Sequence, residues 1–153
     1  MRAVLQRVRH ASVTVDDQVV GQIEEGFLVL LGVGQGDTAA DADYIVDRVS
    51  KLRGFADAAG KMNLSLEQIG GGVLLVSQFT LYADLAGRRP GFTDAAPPAL
   101  ARELYEYACD RFRTASIPLQ TGIFAADMQI ELLNDGPVTF IIESPKKKLE
   151  ASG

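Results

Sequence analysis

Two short segments hold most of the groups in this chain that could do chemistry. Ser77-Gln78-Phe79-Thr80 closes the apolar run Val73-Leu74-Leu75-Val76. It places two hydroxyls, a primary amide and an aromatic ring at a strand end, where side chains and free backbone amides face outward. Such groups can form a site. They can equally do no more than end the strand, with Ser77 and Thr80 bonding their own backbone. The second segment is Asn134-Asp135-Gly136-Pro137-Val138-Thr139, between Ile130-Glu131-Leu132-Leu133 and Phe140-Ile141-Ile142. Both flanks look like strand. Proline has no amide hydrogen for a ladder, so Gly-Pro breaks the strand pattern there. Its composition also suits a plain turn, and nothing in the sequence shows whether the Gly136-Pro137 bond is cis.

The other reactive residues are isolated. His10 is the single histidine and is expected in a loop after the first strand. No Gly-x-Ser-x-Gly accompanies any serine, so a Ser-His-Asp triad has no visible frame. Cys109 falls beside the buried stripe of a helix with no cation evident to lower its pKa, and reads as a small buried hydrophobe. One His and one Cys do not make a zinc set, so no metal and no cofactor is expected. Asp41, Asp43 and Asp47 lie along a helix and are expected to face water. Gly32-Val33-Gly34-Gln35-Gly36 sits where a dinucleotide fingerprint would, but the third glycine position is Asp37, whose charge would repel a pyrophosphate. It reads as an ordinary strand-to-helix turn.

These groups must be positioned by a small set of elements. Residues 2–8 alternate as a half-buried strand should. Residues 12–15 and 19–23 flank Asp16-Asp17-Gln18 as a hairpin. Phe27 to Val33 is continuously apolar, which fits a strand covered on both faces. A helix follows from Thr38, with Asp41 completing an imperfect capping box and Ile45, Val49 and Leu52 on one face. Residues 60–72 read as loop with one short turn. Residues 73–80 are a second buried strand, and 84–98 an irregular stretch rich in Gly, Pro and Arg of the kind that is often functional. Pro97-Pro98 opens a second helix with Leu100, Leu104, Ala108 and Phe112 as its buried stripe. The last strands run from Thr121 to Ile142. The order is not the regular alternation of a doubly wound fold. It implies an α/β single domain with a curved, mixed or mostly antiparallel, barrel-like sheet and two packed helices. The domain spans residues 1–145, with 146–153 as a solvated C-terminal tail.

Composition narrows the function classes. The 153 residues are 47% hydrophobic and 23% charged, as in a globular domain. No apolar run is long enough for a membrane span, and no signal peptide is evident at the start. A lone cysteine allows no internal disulfide, which suits a reducing, cytoplasmic setting. The net charge is −5 and the pI about 4.8, against broad salt-driven binding of nucleic acid and against DNA as a partner. A protein that grips only the end of an RNA needs few cations, and Arg7, Arg88 and Arg89 are candidates for that, or plain surface charges.

Six collinear segments resemble the D-aminoacyl-tRNA deacylases (the D-tyrosyl-tRNA(Tyr) deacylase, or DTD, family). They are Arg2-Ala3-Val4-Leu5-Gln6-Arg7-Val8, Gly60-Lys61-Met62-Asn63-Leu64-Ser65-Leu66, Ser77-Gln78-Phe79-Thr80-Leu81-Tyr82, Gly87-Arg88-Arg89-Pro90-Gly91-Phe92, Gly122-Ile123-Phe124-Ala125-Ala126-Asp127-Met128 and Asn134-Asp135-Gly136-Pro137-Val138-Thr139. Members usually carry Ser at the position of Gly91 and Gly at that of Ala125, so local loop shape is at issue at both.

The resemblance implies an esterase that frees D-amino acids, and glycine misplaced on alanine tRNA, from aminoacyl-tRNA. It implies a homodimer with active sites at the interface. There a cis Gly136-Pro137 reaches into the partner's pocket and rejects L substrates by steric and polar conflict. Thr80, Ser77, Gln78 and Phe79 would then be the catalytic segment. Gly136, Pro137, Asn134, Met128 and Arg7 would bind substrate or reject L forms. Positioning and backbone amides near Phe79 and Thr80 would supply much of the rate, with no side chain as essential base. Two other readings are open on the residues alone: a non-catalytic RNA or small-ligand module, and an ordinary esterase acting covalently through Thr80 or a serine.

Overall fold

The longest strand organises the molecule. In the computed structural model, which describes residues 1–146, β1 (Arg2–Val15) is bonded on both of its edges. On one edge its first half pairs antiparallel with β3 (Gly26–Gly32), and its second half with β2 (Gln18–Ile23). On the other edge it pairs antiparallel with β8 (Gln129–Glu143) almost from end to end. The β1–β2 hairpin turns on Asp16 and Asp17, whose φ values of 49° and 63° are those of a two-residue turn matching strand twist. β6 (Gly72–Ser77) adds parallel to β3, and β7 (Leu119–Thr121) parallel to β6. The sheet then curls until Gly21 of β2 lies against the Thr121 carbonyl of β7, so close that any side chain there would collide. The result is nearly a closed barrel.

Two cores follow from the period-2 geometry of β3 and β6. Phe27, Val29 and Leu31 of β3, with Val73 and Leu75 of β6, face one way. They pack against α1 (Ala39–Lys51) and α3 (Pro98–Thr114) through Ile45, Val49, Leu104, Ala108 and Phe112. Leu28, Leu74 and Val76 face the other way, into the curl, and meet Val8, Val13 and Ile23. Both faces are covered, which is why these strands are continuously apolar. A short β4 (Phe55–Ala56) and β5 (Met62–Leu64) pair beside a one-turn α2 (Leu66–Ile69).

The elements depart from expectation at instructive places. β1 runs on past residue 8, so His10 is not in a loop but in the strand, opposite Leu133. β6 stops at Ser77, not Thr80, because a 3-10 turn over Phe79–Tyr82 takes the chain away. The 60–72 loop contains β5 and α2. Asp41 is buried rather than solvated, because its carboxylate accepts the Thr38 amide at 2.8 Å as the N-terminal box of α1. Asp43 accepts from the Tyr107 hydroxyl at 2.8 Å and pairs with Arg111, tying α1 to α3. Lys146 is exposed; the rest of the expected tail lies outside the described residues. No described helix is long and apolar enough to cross a membrane.

Candidate active site

The residues of the expected catalytic segment, Ser77–Thr80, stand where β6 ends. The Gln78 amide donates to the Leu31 carbonyl at 2.8 Å, holding the exit from β6 against the end of β3. Arg2 pins the 3-10 turn that follows: its Nη1 donates to the Leu81 carbonyl at 2.6 Å, and its guanidinium lies 4.9 Å from the Tyr82 ring centre. Burial, and next the charge of Asp37, push the Tyr82 hydroxyl up to about 12. The Phe79 and Thr80 amides open the turn, where no earlier turn of helix can accept them.

Ser77, Gln78 and Phe79 line a cleft of about 540 Å³. Val76 and Ile130 contribute from strands, Val33 from just past the end of β3, and Ala95, Ala96 and Pro98 from the segment entering α3. That segment is bonded to the end of β3, with Ala96 N donating to Val33 O at 3.0 Å. The third wall is Phe124, Ala125, Ala126 and Met128. Tyr105 of α3 supports it, with its ring 6.0 Å from Phe124 and its hydroxyl donating to the Leu75 carbonyl at 2.8 Å. Ala125 adopts φ 64° there, a left-handed conformation that glycine holds at less cost. At the lip Phe79 packs edge-on against Phe92, centroids 4.9 Å apart, yet the two rings stay 56% and 40% exposed. No lining residue is charged. The cleft therefore suits a flat, mostly apolar group with a few polar edges. It offers nothing ionic to hold an amino group.

Thr80 stands exposed beside the cleft, its Oγ1 accepting a short hydrogen bond from Gln78 Nε2. No lysine, histidine or carboxylate bonds it among the described residues of the chain. Burial raises the Cys109 thiol, which makes it a poor nucleophile. The described residues contain no group of three or more His, Cys, Asp or Glu side chains able to hold a metal ion. The Gly34-Gly36 turn is no phosphate cradle either, because the Asp37 carboxylate already accepts the Gly34 amide at 2.7 Å.

Arg7, Asn134, Gly136 and Pro137 are gathered elsewhere. Thr139 pairs with Gln6 and Asn134 with Val8, so four residues of β8 bulge opposite Arg7 alone. The Gly-Pro corner thus interrupts one long strand rather than dividing two. Its bond is cis, and both residues are exposed. Asn134 staples the bulge: its Oδ1 accepts the Val138 amide at 2.8 Å and its Nδ2 donates to the Val138 carbonyl at 3.2 Å. Arg7 is not a free surface cation. Its Nε donates to the Asp135 carbonyl at 2.8 Å and its Nη1 to Gly54 O at 2.9 Å. Gly136 has φ 150°, and a Cβ on it would meet Val138 Cγ2 at 2.6 Å.

Register separates the two clusters. Arg7 is level with Phe27 and Val73, whereas Ser77 is level with Leu31. Four residues of strand put them about 13 Å apart along the sheet. None of the corner residues lines the cleft. Of the expected binding residues, one chain brings only Met128 together with Ser77, Gln78 and Phe79. Phe92, Phe124 and Ala126 were not singled out by type, although all three fall in segments that carry the family resemblance; Val33, Ala95 and Pro98 had no signal, being supplied by packing alone.

The profile of D-Tyr-tRNA(Tyr) deacylase matches residues 4–143. The chain belongs to that family. The deacylase-family protein is 57% identical over 146 residues to a D-aminoacyl-tRNA deacylase of Myxococcus xanthus (strain DK1622), covering 95% of each chain. It is 56% identical over 149 residues to one of Geotalea uraniireducens (strain Rf4), covering 97% of this chain and 96% of the other. A solved structure described as c-Myc DNA Unwinding Element Binding Protein superposes with a TM-score of 0.91 at 39% identity, covering 95% of this chain and all of that one. A probable eukaryotic D-amino acid tRNA deacylase shares the fold at a TM-score of 0.80 and 17% identity.

Proposed function

We propose that this hydrolase cleaves the ester of D-aminoacyl-tRNA, releasing D-amino acid and tRNA, and that its working site is built from two copies of the chain. The observation that carries the reading is the separation of the two clusters. The cleft of one chain has no charged group for the substrate's α-amino end, and the exposed Gly136-Pro137 corner is far from it on the same chain. A second copy would bring its corner over the cleft and offer main-chain carbonyls to the amino group. With the amino group and the ester both fixed, an L side chain points into the corner and a D side chain away from it. Rejection is then a matter of collision rather than recognition. Glycine has no side chain to collide, so glycyl-tRNA(Ala) is a substrate on the same logic.

In this scheme the terminal adenosine sits between Phe79 and the apolar walls. Gln78 and Thr80 orient the ester, and the Phe79 and Thr80 amides face the developing oxyanion. The ribose 2′-hydroxyl beside the ester helps water attack, and no protein side chain is the base. An acidic chain of net charge −5 favours an RNA end over duplex DNA, and the cytoplasm is where such substrates arise.

The test is hydrolysis of D-tyrosyl-, L-tyrosyl- and glycyl-tRNA by the purified protein with chelator present. Loss of the D and glycyl esters with the L ester spared supports the whole reading. Equal cleavage of both tyrosyl esters would leave a general esterase with no chiral pocket.

A further inference from the structure

The lip of the cleft carries a small hairpin that the scheme above does not use. Asp84 and Gly91 exchange both backbone bonds, at 2.7 and 2.9 Å, and Asp84 Oδ1 takes the Ala86 amide at 3.0 Å to shape the tip. Its stem runs straight into Phe92, whose ring packs on Phe79. The hairpin is therefore joined to the catalytic turn by an aromatic contact. Its exposed tip holds Arg88 and Arg89 side by side.

Most arginines here are already engaged. Arg2, Arg9, Arg102, Arg111 and Arg113 pair with carboxylates, and Arg7 and Arg53 donate to carbonyls. Arg102 lies over the cleft residue Phe124 but is paired with Glu106. Among the described residues no carboxylate reaches Arg88 or Arg89. Two consecutive, exposed and unpaired arginines, on a hairpin whose stem leads into the cleft residue Phe92, in a chain of net charge −5, suit a phosphodiester leaving the uncharged cleft.

We propose that the 84–91 hairpin is a phosphate clamp, in which Arg88 and Arg89 hold the backbone phosphates of the single-stranded RNA end whose last nucleoside fills the cleft. This rests on the reading of the cleft as an aminoacyl-tRNA site. An adenosine ester fills the cleft but has no upstream phosphates, so the clamp acts on tRNA and not on the isolated ester. Two contacts also explain how an acidic protein holds tRNA without a basic face.

The experiment compares kcat/KM for D-tyrosyl-tRNA with that for 3′-O-(D-tyrosyl)adenosine, in the wild type and in Arg88→Ala/Arg89→Ala. The expected result is a roughly tenfold fall in the tRNA-to-adenosine ratio at low salt, with the log–log salt slope for tRNA flatter by about 1.4, near 0.7 per phosphate. Arg88→Lys/Arg89→Lys should restore most of the ratio, which a shape defect in the hairpin would not allow. An unchanged ratio, whether neither substrate or both are affected, overturns the clamp. If the wild type cleaves neither ester, the deacylase reading has failed, and binding of uncharged tRNA decides the clamp. A weaker, less salt-dependent affinity in the alanine variant supports it, and unaltered affinity rejects it.

Discussion

The Ser77–Thr80 turn and the Asn134–Thr139 bulge are both short polar interruptions of apolar strand, yet the fold treats them in opposite ways. The first is a place. It stands where β3 and β6 run out, and its neighbours come from three distant parts of the chain. The second is a shape. Its corner is held by Asn134 of the bulge itself and by Arg7 of the facing strand β1, which fix backbone at both ends. A place tolerates change in single side chains because its walls share the work. A shape fails when one backbone angle is denied.

That contrast sets an order of effects. Gly136→Ala should be the largest: φ 150° and a Cβ 2.6 Å from Val138 Cγ2 force the corner to move. Displacement of about 1 Å can cost roughly 100-fold in a positioned reaction. We expect D-over-L selectivity in tRNA hydrolysis to fall by about that factor. A variant with full D activity and full L rejection would break the comparison. Arg7→Ala removes the donor to two carbonyls and should cost about 1–3 kcal/mol of stability in urea unfolding. It should lower selectivity less than Gly136→Ala does, because Asn134 still staples the bulge. Thr80→Ala tests the other side. It should slow D-tyrosyl-tRNA turnover by about tenfold or less, the worth of one hydrogen bond. Abolished turnover with intact binding would make Thr80 an essential group.

Two smaller effects concern the walls and supports of the cleft. Ala125→Gly exchanges a strained left-handed residue for one that is freer when unfolded, so stability should rise by at most about 1 kcal/mol. Thermal unfolding would show a fall if the strain were absent. Burial pushes the hydroxyl of Tyr82, the last residue of the Phe79–Tyr82 turn, up to about 12 from its ordinary 10.0. Its folded pKa is raised, so its neutral form is favoured by folding. That contribution is whole below the unfolded pKa and is lost between pH 10 and about 12 as the unfolded chain ionises first. Stability measured at pH 9 and 11.5 should decline less in Tyr82→Phe than in the wild type. An equal decline would place the effect elsewhere.

Local pattern carried much of the architecture. The alternation of 2–8, the unbroken apolar runs 27–33 and 73–76, and the stripe of α3 each follow from burial on one or two faces of a regular element. Composition alone made Gly136-Pro137 an oddity, and adjacency alone made Arg88 and Arg89 a pair. What the chain could not state locally was continuation and direction. His10 is in strand because β8 and not its neighbours supplies the partner. Asp41 is buried because α1 turns that face inward. The Phe92 and Phe124 walls arise because α3 and the end of β3 bring segments some thirty residues apart onto one lip. Above all, register put Arg7 and the corner it holds level with the start of β3 and β6, and the Ser77–Thr80 turn at their end. Types and spacing determined which groups can act and which elements carry them. Only long-range pairing, which depends on partners far along the chain, decided that one copy does not unite them.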